Sequence, residues 1–185
     1  MVIRYCKYKA QLLTEEYQFK DDFRKEVLPA LESYDGTIGH TNVKATVHTE
    51  WNWGSELTQV KKLKKYLANE CHKFFDINPV GNTYREKLVF WNFWGNVYKR
   101  GDYAVTHHHS PSFASFVYFL KSKQNDSPLI FTNTNIRIRP IEGTYVIFPS
   151  YLDHKVSKCK GDRVTISGNI RVVSPGDQPL EEFGS

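Results

Sequence analysis

Apolar and polar residues alternate with a helical period in the first part of the chain and with a period of two further along. From Thr14 to Tyr34, apolar side chains recur at near-helical spacing, and we expect Pro29 to bend or end this helix. A second predicted helix has Ser55 as its N-cap and carries one apolar stripe opposite a lysine-rich face. The stripe comprises Leu57, Val60, Leu63, Leu67, Cys71 and Phe74. A stripe of this kind predicts a helix that packs on a sheet.

Short β runs replace the helical period from about residue 84 onward, and turns rich in glycine, aspartate and asparagine separate them. The predicted strands are Lys87–Tyr98, Ala104–His109, Ser112–Leu120, Pro128–Phe131, Thr144–Phe148, His154–Val156 and Val164–Val173. Strands this short and this numerous predict a β-sandwich or a barrel. Between the helices, Thr41–Trp53 alternates and predicts a strand or an extended segment that covers the sheet.

The length of the chain and its content of apolar residues favour one domain. A chain of 185 residues with 40% hydrophobic residues buries a core of its own. We expect a single domain over 1–185, with a helical N-terminal support region at 1–83, a β core at 84–173 and a loose tail at 174–185. A run of about eighteen apolar residues is missing, and Met1–Lys9 leads into no apolar signal core, so we expect a cytoplasmic protein without a membrane span.

Cysteines and charge add expectations about compartment and partners. Cys6, Cys71 and Cys159 lie far apart and show no paired metal spacing, which fits a reducing cytoplasm. A net charge of +5 and a pI near 9.0 suit an anionic partner. The lysines are scattered, however, and the run Lys61–Lys65 lacks the interleaved aromatics of nucleic-acid-binding surfaces, so we expect no nucleic acid partner. The oligomeric state stays open, and edge strands leave room for a dimer.

The histidines are the unusual feature of the sequence. Three are consecutive, His107, His108 and His109, and His154 starts another predicted strand. Because side chains alternate across a strand, His107 and His109 are expected on one face and His108 on the other. A single strand histidine is usually a surface or core residue, but this pair with His154 as a third ligand favours a metal site. Imidazole suits iron(II), zinc, copper or nickel, so the spacing leaves the metal open.

Several motifs resemble a known family, the 2-oxoglutarate and iron(II) dependent oxygenases of bacteria and phages, which are of the prolyl 4-hydroxylase-like type. The resemblance covers roughly residues 85 to 173 and follows the family in order and spacing. The motifs are Gly101-Asp102-Tyr103, His107-His108-His109, Ser115-Phe116-Val117-Tyr118-Phe119, Gly143-Thr144-Tyr145-Val146-Ile147-Phe148-Pro149-Ser150, His154 and Arg163-Val164-Thr165-Ile166-Ser167. The fold that this resemblance implies is mainly β with flanking helices, a double-stranded β-helix (a cupin-like jelly roll) with N-terminal helices packed on the sheet.

The resemblance also implies a chemistry for the histidines. His107, His109 and His154 are expected to hold Fe(II), with 2-oxoglutarate and O2 as cosubstrates for hydroxylation of a C–H bond. A prolyl residue, another protein side chain or a small molecule is the implied substrate. Most of the wider superfamily has an aspartate where His109 stands, so this site lacks one anionic ligand. A His-x-His pair is what similarity to this subfamily leads us to expect.

Four further residues gain cosubstrate-binding roles from the resemblance. Arg163 is expected to bind the distal carboxylate of 2-oxoglutarate with its planar fork. Thr165 follows on the same strand face and is expected to donate a second hydrogen bond to that carboxylate. Tyr118 either contacts the cosubstrate or is simple aromatic core. Asn96, a polar residue among aromatics, either lines the site or finds buried partners.

Two rival functions stay open. The first is a cupin-type dioxygenase with three histidine ligands and no 2-oxoglutarate, because the spacing of Gly143, Pro149 and His154 is similar to a cupin motif. Against it, no glutamate follows His109 at the expected distance, and Arg163 would have no role. The second is a non-catalytic β-sandwich binding module for an anionic ligand, with histidines that are structural or hold a metal statically.

Overall fold

The protein was analysed as a computed structural model, which describes residues 2–5, 11–37, 39, 41–75, 87–123 and 125–173. Within these ranges the elements are, in chain order, β1 (Val2–Tyr5), β2 (Gln11–Glu16), α1 (Lys20–Glu32), β3 (Val43–Lys44), β4 (Val47–His48), α2 (Thr58–Phe74), β5 (Lys87–Tyr98), β6 (Tyr103–His107), β7 (Ala114–Lys121), β8 (Leu129–Phe131), β9 (Ile136–Ile138), β10 (Thr144–Pro149), β11 (His154–Val156) and β12 (Arg163–Val173). The predicted tail at 174–185 lies outside the described residues. None of the described helices is long and apolar enough to cross a bilayer.

Two antiparallel sheets form the body of the molecule. The larger has seven strands in the order β1-β2-β10-β7-β12-β5-β4, and the smaller has five in the order β3-β6-β11-β8-β9. One apolar cluster contains side chains from both sheets, so the sheets pack face to face. The predicted mainly β class, with helices on the sheet, is confirmed.

The seven-stranded sheet has an inner face toward the smaller sheet and an outer face toward the helices. Along β12, the side chains of Val164, Ile166 and Ile170 join the apolar cluster of the helices on the outer face. Since successive side chains point to opposite faces, the alternate row of β12 faces inward. That inner row is Arg163, Thr165, Ser167 and Asn169. All four are buried, so the strand buries a polar row as well as an apolar one.

Both helices pack on the outer face, as the apolar stripe of α2 predicted. Phe23, Val27 and Leu31 of α1 have no exposed surface, and the buried residues of α2 come from the predicted stripe. Gly95 on β5 allows the close approach of α1, because a Cβ there would lie 2.6 Å from a methyl group of Leu31. Close packing of this kind fixes the sheet that carries the inner polar row.

The N-terminal region differs from its prediction. It contains β1 to β4 as well as the two helices, and the first helix begins at Lys20 instead of Thr14. Gln11–Glu16 is a strand between β1 and β10, in which Leu12 faces the inner cluster and its neighbour Leu13 the outer one. The residues 14–16, predicted as the start of the helix, are therefore the end of this strand. Pro29 does not end α1, which continues to Glu32.

The predicted N-cap of α2 was wrong, and of the two alternatives for Thr41–Trp53 the single strand was wrong. Ser55 is not the N-cap of α2; the capping position is Leu57, and the Ser55 hydroxyl instead donates to the carbonyl of Asn52, 2.5 Å away, in a preceding turn. The segment 41–53 is not one strand. It contributes β3 to the smaller sheet and β4 to the larger one, so it crosses between the sheets.

Candidate metal centre

His107 ends β6, and an extra residue in that strand turns its side chain inward. In the pairing with β11, His107 lies opposite His154 and Ala104 lies opposite Val156, so two residues of β6 face the single residue Lys155. This is the geometry of a β-bulge, which re-aims the side chains that follow it. Since Ala104 already belongs to the cluster between the sheets, simple alternation would send His107 outward. Because of the bulge, the side chain of His107 lies on the same side of the strand as that of Ala104.

Three histidines converge beside this bulge. The ligating nitrogens of His107, His109 and His154 all lie within 4.8 Å of one another. His109 follows the end of β6, where its backbone N–H donates to the Ser150 carbonyl at 2.8 Å. His108 is exposed, and its Nδ1 accepts from the backbone N–H of Ser110 instead. The structure therefore brings together the three histidines that the sequence singled out and leaves His108 outside.

Backbone carbonyls fix the tautomers of two of these rings. Nδ1 of His107 lies 2.7 Å from the Val105 carbonyl, and Nδ1 of His154 lies 2.9 Å from the Leu152 carbonyl. A carbonyl can only accept, so the hydrogen of each neutral ring is on Nδ1, and the Nε2 lone pair remains for a metal. Hydrogen bonds of this type orient metal-ligating histidines.

Burial keeps the three rings neutral. Loss of hydration, reinforced by the neighbouring histidines, lowers the pKa of His109 to about 2 and the pKa of His154 to about 3. Burial also lowers the pKa of His107 below its ordinary value. Because these pKa values are low, all three imidazoles are neutral at neutral pH even without a metal. Neutral imidazole is the form that binds a metal ion. The donor set fits iron(II) and equally zinc, copper or nickel.

Arg163 is a buried cation, and it lies on the same inner face of the sheet. It is 1% exposed, and its guanidinium lies against the rings of Phe119 and Tyr98, at 5.2 and 5.6 Å. One terminal nitrogen donates to the Ser127 carbonyl at 2.8 Å, whereas Nε is buried without a hydrogen-bond partner. No carboxylate of the described residues forms an ion pair with it. A buried cation without an ion pair is costly, so this arrangement suits an anionic ligand.

Asn96 and Thr165 are neighbours on the inner face, as their predicted roles require. The Asn96 amide nitrogen lies 3.3 Å from the Thr165 hydroxyl, and both side chains are buried. His48, which carried no predicted role, completes this group with its Nδ1 2.5 Å from the Asn96 amide oxygen. It comes from the two-residue strand β4, where His48 pairs with Asn96. A strand so short has no periodicity that a sequence could reveal.

Tyr118 is the one predicted site residue that lies on the outer face of the sheet. Its ring packs against Tyr17 and Phe23, at 6.0 and 4.9 Å, on the outer face beneath α1. Its neighbours on β7, Val117 and Phe119, belong to the inner cluster. The cosubstrate role for Tyr118 is therefore corrected to the other reading, aromatic core.

Two aromatic residues near the site had no predicted role of their own. Trp94 lies 5.7 Å from the His109 ring, and Tyr98 lies against Arg163. Both are two residues from Asn96 on β5, so strand alternation gives all three the same inner face. Their spacing from Asn96 was the signal that could have identified them.

Three solved structures that resemble this chain in fold are prolyl hydroxylases. The viral collagen prolyl hydroxylase of Paramecium bursaria Chlorella virus 1, in its 2-oxoglutarate complex, matches with a TM-score of 0.65 and 17% identity over 88% of this chain and 96% of that chain. A Pseudomonas putida prolyl-4-hydroxylase matches with 0.61 and 11% over 86% and 91%. A Trichoplax adhaerens prolyl hydroxylase, in complex with a hypoxia inducible factor peptide fragment, matches with 0.61 and 16% over 86% and 83%.

These likenesses confirm the predicted double-stranded β-helix fold. No protein-family model matches the chain, and no curated protein matches it. Since the identities are low, the activity has to be argued from the residues of this chain.

Proposed function

We propose that this protein is a 2-oxoglutarate and Fe(II) dependent dioxygenase that hydroxylates a C–H bond. The observation that carries the proposal is the buried Arg163, a cation without an ion pair among the described residues, on the same inner face as three neutral histidines. A metal centre alone would explain the histidines but not this guanidinium. A dicarboxylate that reaches from the metal to Arg163 would explain both, because its distal carboxylate supplies the missing anion.

The residues of this chain divide the work of binding and orientation. His107, His109 and His154 would hold iron(II), which when bound supplies the oxygen chemistry that couples 2-oxoglutarate decarboxylation to hydroxylation. The two carbonyl-bonded rings would present Nε2 in a fixed direction. Arg163 would orient the distal carboxylate, and the Thr165 hydroxyl is available beside it on β12.

Aromatic side chains would keep water away from the reacting centre. Phe131 and Phe148 contact the His154 ring at 5.9 and 4.9 Å, and Trp94 covers His109. A dry site strengthens every charge interaction within it. It also protects the oxidising chemistry from side reactions with solvent.

We propose a prolyl residue as the first substrate to test. The support is the fold shared with the viral, Pseudomonas and Trichoplax prolyl hydroxylases. Peptides with proline in different sequence contexts, incubated with iron(II), 2-oxoglutarate and oxygen, should gain one oxygen atom as succinate forms. If succinate formed only with small-molecule substrates, the proposed dioxygenase activity would stand and the proposed prolyl substrate would be wrong.

The central experiment measures cosubstrate binding without turnover. Under anaerobic conditions, protein with iron(II) and 2-oxoglutarate should show the weak visible charge-transfer band of the chelate. We expect His154→Ala to lose iron and band together, and Arg163→Leu to keep iron and lose the band at low 2-oxoglutarate concentration. Arg171→Leu is the matched control, since Arg171 lies on the same strand but stacks on Trp91, 3.2 Å from the ring centre.

The alternatives predict different results in the same experiment. Iron binding without a band and without 2-oxoglutarate affinity would identify a three-histidine, cupin-type dioxygenase, which the histidine donor set also favours. Binding of neither would leave a β-sandwich binding module with structural histidines. An Arg163→Leu variant with wild-type 2-oxoglutarate affinity would remove the observation on which the proposal rests.

A further inference from the structure

A chain of buried hydrogen bonds crosses three strands of the inner face and ends at Thr165. Nδ1 of His48 lies 2.5 Å from the Asn96 amide oxygen, and the Asn96 amide nitrogen lies 3.3 Å from the Thr165 hydroxyl oxygen. Each of the three side chains is only 2% exposed. Hydrogen bonds sheltered from water in this way are strong, and the direction of each constrains the next.

The second ring nitrogen of His48 decides that direction. Nε2 is buried and has no hydrogen-bond partner among the described residues. A hydrogen on Nε2 would be a buried, unpaired N–H donor, which is rarer and more costly in proteins than an acceptor without a partner. Burial also lowers the pKa of His48, so that the neutral ring carries a single hydrogen. That hydrogen therefore lies on Nδ1 and is donated to the oxygen of Asn96.

This direction determines what Thr165 can do. With its oxygen held by His48, Asn96 turns its NH2 group toward Thr165, whose oxygen accepts. The hydroxyl hydrogen of Thr165 is then free to be donated elsewhere. With the amide reversed, Thr165 would donate its hydrogen to Asn96 and could offer an anion only lone pairs, which repel it.

We infer that His48 is a positioning residue that, through Asn96, makes the Thr165 hydroxyl a donor to a carboxylate held beside Arg163. The identity of that carboxylate as 2-oxoglutarate rests on the proposed function, whereas the direction of the hydrogen bonds does not. His48 acts at a distance, since Asn96 separates it from Thr165. We call the hydrogen-bonded series His48–Asn96–Thr165 the relay. The rings of Trp51 and Trp94, at 5.6 and 6.2 Å, pack against His48 and shield the relay.

The relay predicts a specific pattern of 2-oxoglutarate affinities, measured by titration of the anaerobic charge-transfer band. His48→Leu removes the donor and should weaken binding about tenfold, as should Thr165→Val. His48→Asn should stay within about threefold of wild type, because its NH2 group can occupy the position of Nδ1. The double variant His48→Leu with Thr165→Val should be no weaker than Thr165→Val alone, since both changes break one relay.

Controls separate the relay from general damage. His72→Leu removes a histidine from α2 on the other side of the sheet and should leave 2-oxoglutarate affinity unchanged. Iron affinity and thermal midpoint of each variant report folding. Additive losses in the double variant, or a His48→Asn variant as weak as His48→Leu, would overturn the inference even while wild type binds 2-oxoglutarate normally.

A second measurement needs neither iron nor cosubstrate. In long-range ¹H–¹⁵N spectra of the wild-type protein near pH 7, His48 should appear as the neutral tautomer with hydrogen on Nδ1. A hydrogen on Nε2 would reverse the amide and refute the relay. If wild type failed to bind 2-oxoglutarate but His48 had this tautomer, the proposed function would fail while the hydrogen-bond direction stood.

Discussion

The two faces of the seven-stranded sheet use alternate residues of the same strands for opposite purposes. On the outer face of β12, Val164 and Ile166 pack under the helices, where burial of apolar surface stabilises the fold. On the inner face, Arg163 and Thr165 are equally buried but polar. Burial there costs free energy unless each polar group finds a partner. The comparison teaches that the outer face is stabilised by apolar packing, whereas the inner face also buries polar groups that need partners.

The inner face itself has a satisfied part and an unsatisfied part. Near the end of β12, Ser150 donates to Ser115, Ser115 donates to Asn169, and Asn169 donates to Asn92, at 2.6, 2.7 and 2.7 Å. That network needs nothing from outside. At Arg163, in contrast, the buried Nε has no hydrogen-bond partner among the described residues. A ligand gains most where the chain leaves its polar groups unpaired.

The largest effect should come from the outer face. Phe23→Ala removes a fully buried ring beneath the sheet and should lower the free energy of unfolding by about 3–5 kcal/mol, measured by urea denaturation. Iron affinity of the molecules that remain folded should not change. Phe19→Ala, at a ring that is 47% exposed, is the matched control and should cost less than about 1 kcal/mol. A large loss of iron affinity in Phe23→Ala would show that the two faces are not separable.

The inner face should show the reverse pattern. His154→Ala removes one of three converging imidazoles and should weaken iron(II) binding by more than about a hundredfold in chelator competition. Without metal, the variant should lose less free energy of unfolding than Phe23→Ala, because the ring removed is smaller, although its hydrogen bond to the Leu152 carbonyl is lost with it. His108→Ala changes the exposed neighbour and should bind iron normally. Equal losses of iron affinity in His154→Ala and His108→Ala would mean that iron is not bound by His107, His109 and His154.

Acid should weaken the metal-free protein through the same histidines. Their pKa values are lowered in the folded state, so below about pH 6.5 the unfolded chain binds protons that the folded chain does not. Stability is therefore complete above that pH and falls as pH drops toward the folded values, by up to about 1.4 kcal/mol per pH unit for each such histidine. Urea titrations at pH 7, 6 and 5 should show a shallower fall for His154→Gln. If the free energy of unfolding fell equally steeply with pH in His154→Gln and in the wild type, His154 would not be a cause of the acid sensitivity.

The smallest effect should come from the solvent-exposed edge of the outer face. Lys121 and Glu32 form an ion pair of 2.6 Å between side chains that are 32% and 42% exposed. Lys121→Ala should change the free energy of unfolding by less than about 1 kcal/mol and leave iron affinity unchanged. Because salt screens exposed pairs, the difference should vanish near 1 M salt. A stability difference that persisted at this salt concentration would indicate that the aliphatic part of Lys121 contributes by packing.

The histidines could be predicted from sequence because chemistry and spacing agree. His107 and His109 lie two residues apart, and His154 starts a strand that pairs directly with His107. Tyr118 shows where this reasoning stops. Every residue from Ala114 to Leu120 is buried, so β7 has no polar alternation from which its inner face could be read. Only the contacts of neighbouring strands reveal which aromatic side chains face the histidines.

Long-range pairing explains the other errors. Strand β2 pairs with β10, some 130 residues further along the chain, so no local pattern showed that residues 14–16 belong to a strand and not to the start of a helix. His48 was assigned no function because β4 exists only through its pairing with β5. Local patterns predicted the class of fold and the metal ligands, whereas pairing across the sheets decided the residues behind them.

The extra residue in β6 makes the strand tolerant of one change in its length. Deleting Thr106 would leave Val105 alone opposite Lys155, and regular alternation would keep His107 on the side of Ala104, opposite His154. Loss of that single codon should therefore leave the metal ligand in place. When related sequences are aligned, a one-residue gap between Ala104 and His107 is no sign of a lost metal site, whereas a two-residue gap would move His107 to the other face of the sheet.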